Sequence, residues 1–487
     1  MARITTDICI IGAGSGGLSL AAGAVQMGAR VVLIEGHKMG GDCLNYGCVP
    51  SKALLAAAKE AHAQGGQPTQ ATYAAAQAHV AATIATIAPV DSQERFEGLG
   101  VHVIRDWARF ISPTQVQAGD DIITARRVVI ATGSSPLVPP IPGLDAVPYL
   151  TNETIFDLPA RPDHLIIIGG GPIGAEMAQA HRRLGCAVTV IEGARALGRD
   201  DPDLAAIVLD RLRAEGVTIL EQTKAERISS SGGVTGGVTG GVTGGVAGVV
   251  TGGVTGGVIV HTDKGDVTGS HLLIAVGRRV NLERLDLARA GVAHDRGGVT
   301  VGPGLRSTTN RRVYALGDAA GGLMFTHVAG YQAGVLVRSL VLGLPARVRI
   351  DHIPWATYTD PELAQIGLTE ADARKAHGRR LEVIAVDMRH NDRALAEGKT
   401  SGRIKLMVVR GRPVGVTIAA AGAGDLIGLW ALAISARLKL SAIAGTVLPY
   451  PTMGEISKRA AGAYFSPRLF NNRLIKYIVR AVQRWLP

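Results

Sequence analysis

The chain has 487 residues, 47% hydrophobic and 19% charged, with a net charge of +11 at pH 7. That length suggests about three domains, and the composition allows a sizeable buried core. Four cysteines are too few for a disulfide-stapled secreted fold, and no nucleic-acid-binding motif accompanies the positive charge.

No basic segment and cleavage site precede the first apolar run, so no signal peptide is read and a reducing cytoplasm is expected. That run, Ile8 to Ile11, reads as a short strand. Gly12-x-Gly14-x-x-Gly17 follows it, then a helical stretch to Met27 and a strand from Arg30 to Ile34 that ends in Glu35. The first two glycines allow a tight turn and close approach of a pyrophosphate. The third lets helix and strand pack. A diphosphate is favoured at the helix N-terminus by backbone N–H groups and the dipole. Glu35 can accept hydrogen bonds from ribose hydroxyls.

Next comes Gly40-Gly41-Asp42-Cys43-Leu44-Asn45-Tyr46-Gly47-Cys48-Val49-Pro50-Ser51-Lys52. A C-x4-C pair at the start of a helix can close a disulfide, or by spacing alone serve as a metal clip. A helix N-terminus and a nearby lysine both lower a thiol pKa. Lys52 lies one helical turn beyond Cys48 and shares its face. The other two cysteines, Cys9 and Cys186, read as small buried hydrophobes.

The nucleotide signature recurs. Leu165 to Ile168 reads as a strand, Gly169-x-Gly171-x-x-Gly174 as the turn, and Val188 to Ile191 as a strand ending in Glu192. First glycine and acid are 23 residues apart in both copies. Two such units, each in strand–turn–helix–strand context with its acid, imply two dinucleotides. Glu192 suits the free 2′-hydroxyl of NADH and repels the phosphate of NADPH, while Arg195 leaves NADPH open.

Gly232 to Ile259 runs as seven near-identical Gly-Gly-Val-Thr tetrads. A period of four is too short for a solenoid repeat, so the array reads as an inserted loop or elongated hairpin. Val414 to Ser435 carries one charge, Asp425. It reads as a buried strand and a core helix joined at Gly422-Ala423-Gly424, not a membrane span. From Ser466 to Pro487 there are five basic residues and no acid, with Leu474, Ile475, Ile478, Val479, Val482 and Leu486 at helical spacing. This stretch reads either as a helix docked on a dimer or as one making peripheral contact with an anionic membrane surface.

The segment around Cys43 and Cys48 closely resembles the redox-active disulfide of the flavoprotein disulfide reductases. These are the class I pyridine nucleotide-disulfide oxidoreductases, among them dihydrolipoamide dehydrogenase, glutathione reductase and mercuric reductase. Further stretches carry the same resemblance. They are Ala131-Thr132-Gly133-Ser134, Ala275-Val276-Gly277-Arg278, Gly317-Asp318, Met324-Phe325-Thr326-His327, Tyr358-Thr359-Asp360-Pro361-Glu362 and Gly367-Leu368-Thr369-Glu370.

The resemblance implies an α/β fold. Two Rossmann-like dinucleotide-binding domains, for FAD and NAD(P)H, precede a C-terminal α+β dimerisation domain. The FAD domain spans 1–150 and 277–346, the NAD(P)H domain 151–276 with the insertion at 232–259, and the interface domain 347–487. FAD is expected against Gly12, Gly14, Gly17, Glu35, Lys52, Thr132, Gly133, Ser134, Asp318, Met324 and His327. NAD(P)H is expected against Gly169, Gly171, Gly174, Glu192 and Gly277.

By the same resemblance, the hydride passes to FAD and then reduces a Cys43–Cys48 disulfide. Cys48 contacts the flavin and Cys43 attacks the acceptor, a disulfide or other thiol-reactive compound. Lys52 pairs with Glu176 beside the flavin, and the enzyme is a homodimer. Two departures qualify this. Where disulfide-reducing members carry a histidine base, Pro449-Tyr450-Pro451-Thr452-Met453-Gly454-Glu455 has Tyr450, with Glu455 retained. Tyrosine is a poor base near neutrality. Mercuric reductases share that tyrosine, which keeps Hg(II) or another soft ion open as acceptor. Their paired C-terminal cysteines are absent from the closing Arg484-Trp485-Leu486-Pro487, and so is the extra N-terminal metal-binding domain that some carry.

Overall fold

Alternate residues of the first strand are buried on opposite faces of one sheet. Ile8 and Ile10 join one apolar cluster, Cys9 and Ile11 another. A strand buried on both faces reads as a continuous apolar run, because both sides of the pleat must be covered. The structure, a computed structural model, describes residues 2–232 and 257–486. The chain divides into two units, Met1–Ala194 with Val217–Val348, and Arg195–Gly216 with Arg349–Pro487.

In the first unit, the strand Arg3–Ile11 lies between Val31–Ile34 and Asp121–Ile130, parallel to both. His102–Ile104 extends the sheet beyond Val31–Ile34, and Val313–Ala315 pairs parallel with the end of Asp121–Ile130. Ala108–Ser112 and Gln115–Ala118 add two antiparallel strands. The helices Ser15–Gln26 and Thr326–Leu336 share a core with one face of this sheet through Leu18, Leu20, Ala329 and Leu336.

A second sheet is wholly parallel, in the order Thr218–Leu220, Ala187–Ile191, His164–Ile168, His271–Ile274. Beside it Ala225–Ser230, Val258–Thr262 and Gly265–Gly269 form an antiparallel sheet, with Ser230 opposite Val258. Val258 and Ile259, read from sequence as the end of the Gly-Gly-Val-Thr array, therefore belong to a strand. The rest of the array, residues 233–256, lies outside the described residues.

The second unit is built on a five-stranded antiparallel sheet. Its order is Pro354–Thr357, Glu362–Gly367, Arg412–Ala420, Arg403–Val409, Leu381–Asp387. The apolar stretch Val414 to Ser435 is indeed a strand and a helix. The strand ends at Ala420, and Gly422 sits at φ +69° before the helix Ala423–Ser435. That helix buries Ile427, Trp430 and Ala433 on the sheet, and Trp430 Nε1 donates to Ser457 Oγ at 3.1 Å. Among the described residues no helix is long and apolar enough to cross a membrane.

One buried group makes stability pH-dependent. His181, in the helix Pro172–Arg183, is fully buried beside Tyr73. Its Nδ1 bonds the Met177 carbonyl at 2.9 Å, and its Nε2 has no partner among the described residues. Burial pushes its pKa down from 6.5 to about 4. The unfolded chain therefore binds the proton first as pH falls. The stabilisation from keeping this ring neutral is whole above pH 6.5 and is lost between there and about 4. It amounts to about 3 kcal/mol. In thermal melts across that window, His181→Leu is expected to flatten the slope. An unchanged slope would place the titrating group elsewhere.

Candidate active site

The two glycine turns repeat one geometry. Gly12 and Gly169 stand at φ +110° and +112°. A Cβ on either would lie 2.4 Å from the carbonyl oxygen of Ala131 or Ala275, respectively. On Gly17 or Gly174 it would meet the Gly12 or Gly169 carbonyl oxygen at 1.9 or 2.0 Å. No other residue type allows helix and strand to approach so closely. Glu35 Oε2 and Oε1 accept from Ala13 N and His37 N at 2.7 and 2.8 Å. Glu192 accepts from Gly170 N and Ala194 N at the same two distances.

Both helices that follow, Ser15–Gln26 and Pro172–Arg183, begin at glycines, Gly14 and Gly171, with no capping side chain. Their first N–H groups thus have no side-chain acceptor, while each fixed carboxylate keeps lone pairs for hydroxyl donors. A dinucleotide fits both turns.

A short helix and a long one carry the cysteine pair. Cys43 lies in Gly41–Asn45 and Cys48 opens Cys48–Gln64. The hinge between them is Gly47, where a Cβ would sit 2.9 Å from Asp42 Oδ2 and 3.2 Å from Cys43 Cα. Both cysteines are in the thiol form, Cys43 half-buried and Cys48 exposed.

The hydrogen bond between the thiols divides their roles. Cys43 is held well above the usual thiol range, first by its bond to Cys48 and then by burial. Cys48 is pushed down to about 6, mainly because Cys43 donates to it. Thr326 Oγ1, 3.4 Å away, and the positive charge of Lys52 push the same way. Burial drives Cys9 up to about 12, and it does the same for Cys186 against the pull of Arg161 and Arg182, which leaves both inert.

Lys52 Nζ lies 2.8 Å from Glu176 Oε2 and 3.3 Å from Ser51 Oγ. The Glu176 side chain is 6% exposed and that of Lys52 35%, so the carboxylate is buried and the lysine half-buried. Asp42, next to Cys43, is held by Arg278 and by Asn152 Nδ2, each at 3.1 Å. Arg278 also donates to the Ser134 hydroxyl and carbonyl at 2.7 Å. Ser134 in turn donates to Asp318 Oδ2 at 2.5 Å, and burial raises the Asp318 pKa.

Thr132 Oγ1 donates to the Asn281 carbonyl, and the Gly133 carbonyl accepts from Asn281 N. The Gly277 carbonyl accepts from Leu137 N. Met324 packs against the first sheet's core, and His327 stacks on Phe325 with centroids 5.4 Å apart. The helix Thr326–Leu336 has no capping side chain at its N-terminus, where Thr326 meets Cys48.

In the second unit Tyr450 is exposed, and its hydroxyl donates to Asp392 Oδ2 at 2.9 Å. That bond raises the tyrosine pKa, and Glu455 adds in the same direction. Glu455 opens the helix Glu455–Phe470 and accepts from Thr452 N at 3.4 Å.

Sequence reasoning assigned no role to Thr326, Asp42, Arg278, Asn152 or Asp392. The first three stand inside stretches singled out for other residues. Nothing local marks Asn152 or Asp392, whose partners lie 110 and 58 residues away.

Residues 6–333 match the pyridine nucleotide-disulphide oxidoreductase family, and residues 353–461 match its dimerisation domain. Mercuric reductase from Acidithiobacillus ferrooxidans is 33% identical, over 94% of this chain and 82% of its own length. The Streptomyces lividans mercuric reductase is 34% identical, over 94% and 96%. Among solved structures, the Cu(II) complex of the HOCl-induced flavoprotein disulfide reductase RclA from Escherichia coli superposes with a TM-score of 0.81. It is 27% identical, over 95% of this chain and all of that one. LpdA from Mycobacterium tuberculosis gives 0.81 at 26% identity, over 94% and 99%. The chain belongs to the pyridine nucleotide-disulphide oxidoreductase family and is an enzyme of that class, using FAD and a pyridine nucleotide.

Proposed function

We propose that this enzyme takes electrons from NADH and delivers them through Cys43 and Cys48 to a disulfide or similar thiol-reactive acceptor. The observation that carries this reading is the setting of the cysteine pair. Cys48 opens a helix, with Thr326 Oγ1 at 3.4 Å and the Lys52–Glu176 ion pair one turn on, surroundings that favour a thiolate there over one at Cys43. The first glycine turn, Glu35 and the Asp318 segment would hold FAD, which would supply two-electron transfer between the nicotinamide and the Cys43–Cys48 disulfide.

The remaining steps belong to the protein. Cys48 is the stabilised thiolate, with Lys52 and Thr326 holding its charge, and would be the cysteine that faces bound FAD. Cys43 attacks one sulfur of the acceptor disulfide, its proton passes to the departing thiolate, and the first product leaves as a thiol. Cys48 then attacks the Cys43 sulfur, releases the second thiol and re-forms the internal disulfide. The pair loses two electrons and the acceptor gains two. Lys52 and Glu176 fix each other's orientation beside this chemistry. The dimerisation domain supports a homodimer.

A second reading, reduction of Hg(II) or another soft ion, is favoured by Tyr450. Its hydroxyl proton is committed to Asp392, so it serves poorly as the base that a dithiol substrate needs. The mercuric reductase relatives point the same way. Dihydrolipoamide oxidation is expected to be slow at pH 7 and to climb with pH beyond the ordinary tyrosine range. Tyr450→His should raise the neutral rate roughly tenfold. A wild type already fast at pH 7 would show that another group supplies the base.

That Glu192 is fixed by two backbone amides supports reading it as the ribose acceptor that selects NADH. Glu192→Ala is expected to narrow the NADH:NADPH ratio of kcat/KM by roughly tenfold. A wild type that prefers NADPH would reverse the assignment. The function itself is tested by NADH oxidation with a panel of disulfides and with Hg(II). Turnover of a disulfide supports the first reading, turnover of Hg(II) alone the second, and turnover of neither overturns both.

A further inference from the structure

The last helix, Arg473–Trp485, has no role in the chemistry above and lies beyond the matched dimerisation segment, which ends at residue 461. The preceding helix ends at Phe470, and the Asn472 side chain caps the new one, accepting from Leu474 N and Ile475 N at 3.0 and 3.3 Å. The cap lets the helix start without tertiary support. No residue of it is buried. Leu474, Tyr477, Ile478, Val479, Val482 and Trp485 are all exposed, Trp485 by 76%.

At about 100° per residue the two faces separate cleanly. Arg473, Lys476, Arg480, Gln483 and Arg484 share a polar arc of roughly 100°. The apolar residues fill roughly 200° of the remainder, and Tyr477 stands at the boundary. One neighbouring helix or sheet covers a narrower stripe than that. Immersion at the boundary between headgroups and acyl chains covers the whole arc while leaving the cations among the headgroups. None of the four cations is ion-paired among the described residues, and no acid lies between Ser466 and Pro487. Arg468, one helix earlier, is taken by Glu382.

We infer that Arg473–Trp485 is a surface anchor that lays this enzyme on an anionic phospholipid membrane. The helix is about 20 Å long, too short to span a bilayer, so it lies in the plane of the surface. Charge draws it to anionic headgroups, and the apolar arc, led by Trp485 and Ile478, holds it there. Attraction through the cations must weaken with salt, because exposed charges are screened.

The test is flotation of the full-length holoenzyme with vesicles of phosphatidylcholine alone or mixed with phosphatidylglycerol. Binding is expected to be roughly tenfold or more tighter on the anionic vesicles and to fall with added salt. Two double variants separate the contributions, Ile478→Asp with Val482→Asp and Arg480→Glu with Arg484→Glu. All four side chains are solvent-exposed, so folding and flavin reduction by NADH should be unchanged. Each pair is expected to abolish binding. Failure to bind anionic vesicles, or equal binding to both kinds, overturns the proposal. So does a lipid-free mass that drops only in the Ile478→Asp, Val482→Asp variant, because the apolar face would then be covered by a second copy.

Discussion

Replacing Cys48 with serine is expected to lower NADH-dependent turnover of the acceptor at least about a thousandfold, with NADH reduction of the flavin retained. The loss is large because a serine hydroxyl can neither form the internal disulfide nor hold charge near neutrality. Cys43→Ser should lose turnover to a similar degree but differ in its spectrum. The introduced serine keeps a hydroxyl that can donate to Cys48, and such a donor is the largest influence holding that thiol down to about 6. The lone Cys48 thiolate should therefore produce a long-wavelength absorbance beside oxidised flavin with no reductant added. The signal is present at high pH and is lost as pH falls through the depressed Cys48 value. Cys48→Ser should never show it. If both variants keep wild-type turnover, electrons do not pass through this pair.

The second large effect is on stability. Lys405, in the strand Arg403–Val409, has a side chain only 5% exposed. Its ammonium lies 2.9 Å from Asp201, 2.7 Å from Asp203 and 2.9 Å from Glu370. Burial opposes the charge, yet the three carboxylates outweigh it and hold the lysine above its ordinary pKa. This cluster ties the start of the helix Pro202–Ala214 to the five-stranded sheet.

Lys405→Met keeps the stem volume but leaves Asp201, 1% exposed, with its charge uncompensated. The expected cost is about 3–5 kcal/mol, read as a lower urea midpoint at constant slope. Asp203 is 62% exposed at the side chain, so Asp203→Asn should cost less than about 1 kcal/mol. A Lys405→Met enzyme within that smaller range would show that the cluster is dispensable.

Local patterns in the sequence were the ones that could be read. Each glycine turn needs only neighbouring residues to define it, and so it came out with its acid. The same holds for the strand and helix across Val414 to Ser435, where apolar run and glycine break are contiguous. The first strand was read from Ile8 but begins at Arg3, because polar residues at its start pair with Asp121–Ile130 and need no apolar signature. The strands Ala108–Ser112 and Gln115–Ala118 were not read at all. Contacts made across the chain left no local mark. Thr326 reaches Cys48 across 278 residues, and Lys405 reaches Asp201 across 204. Side chains so far apart meet only after the sheets have formed, and spacing in the sequence does not encode that.

In the proposed function, Cys43 and Cys48 form the disulfide through which electrons leave. That route is tested most directly by differential alkylation of the oxidised holoenzyme, with and without NADH and with no acceptor, read by peptide mass spectrometry. Cys43 and Cys48 are expected to be protected in the oxidised enzyme and labelled together once NADH is added. Cys9 and Cys186, buried and held at about 12, should stay unlabelled throughout. Equal labelling of Cys43 and Cys48 before and after NADH would contradict the account.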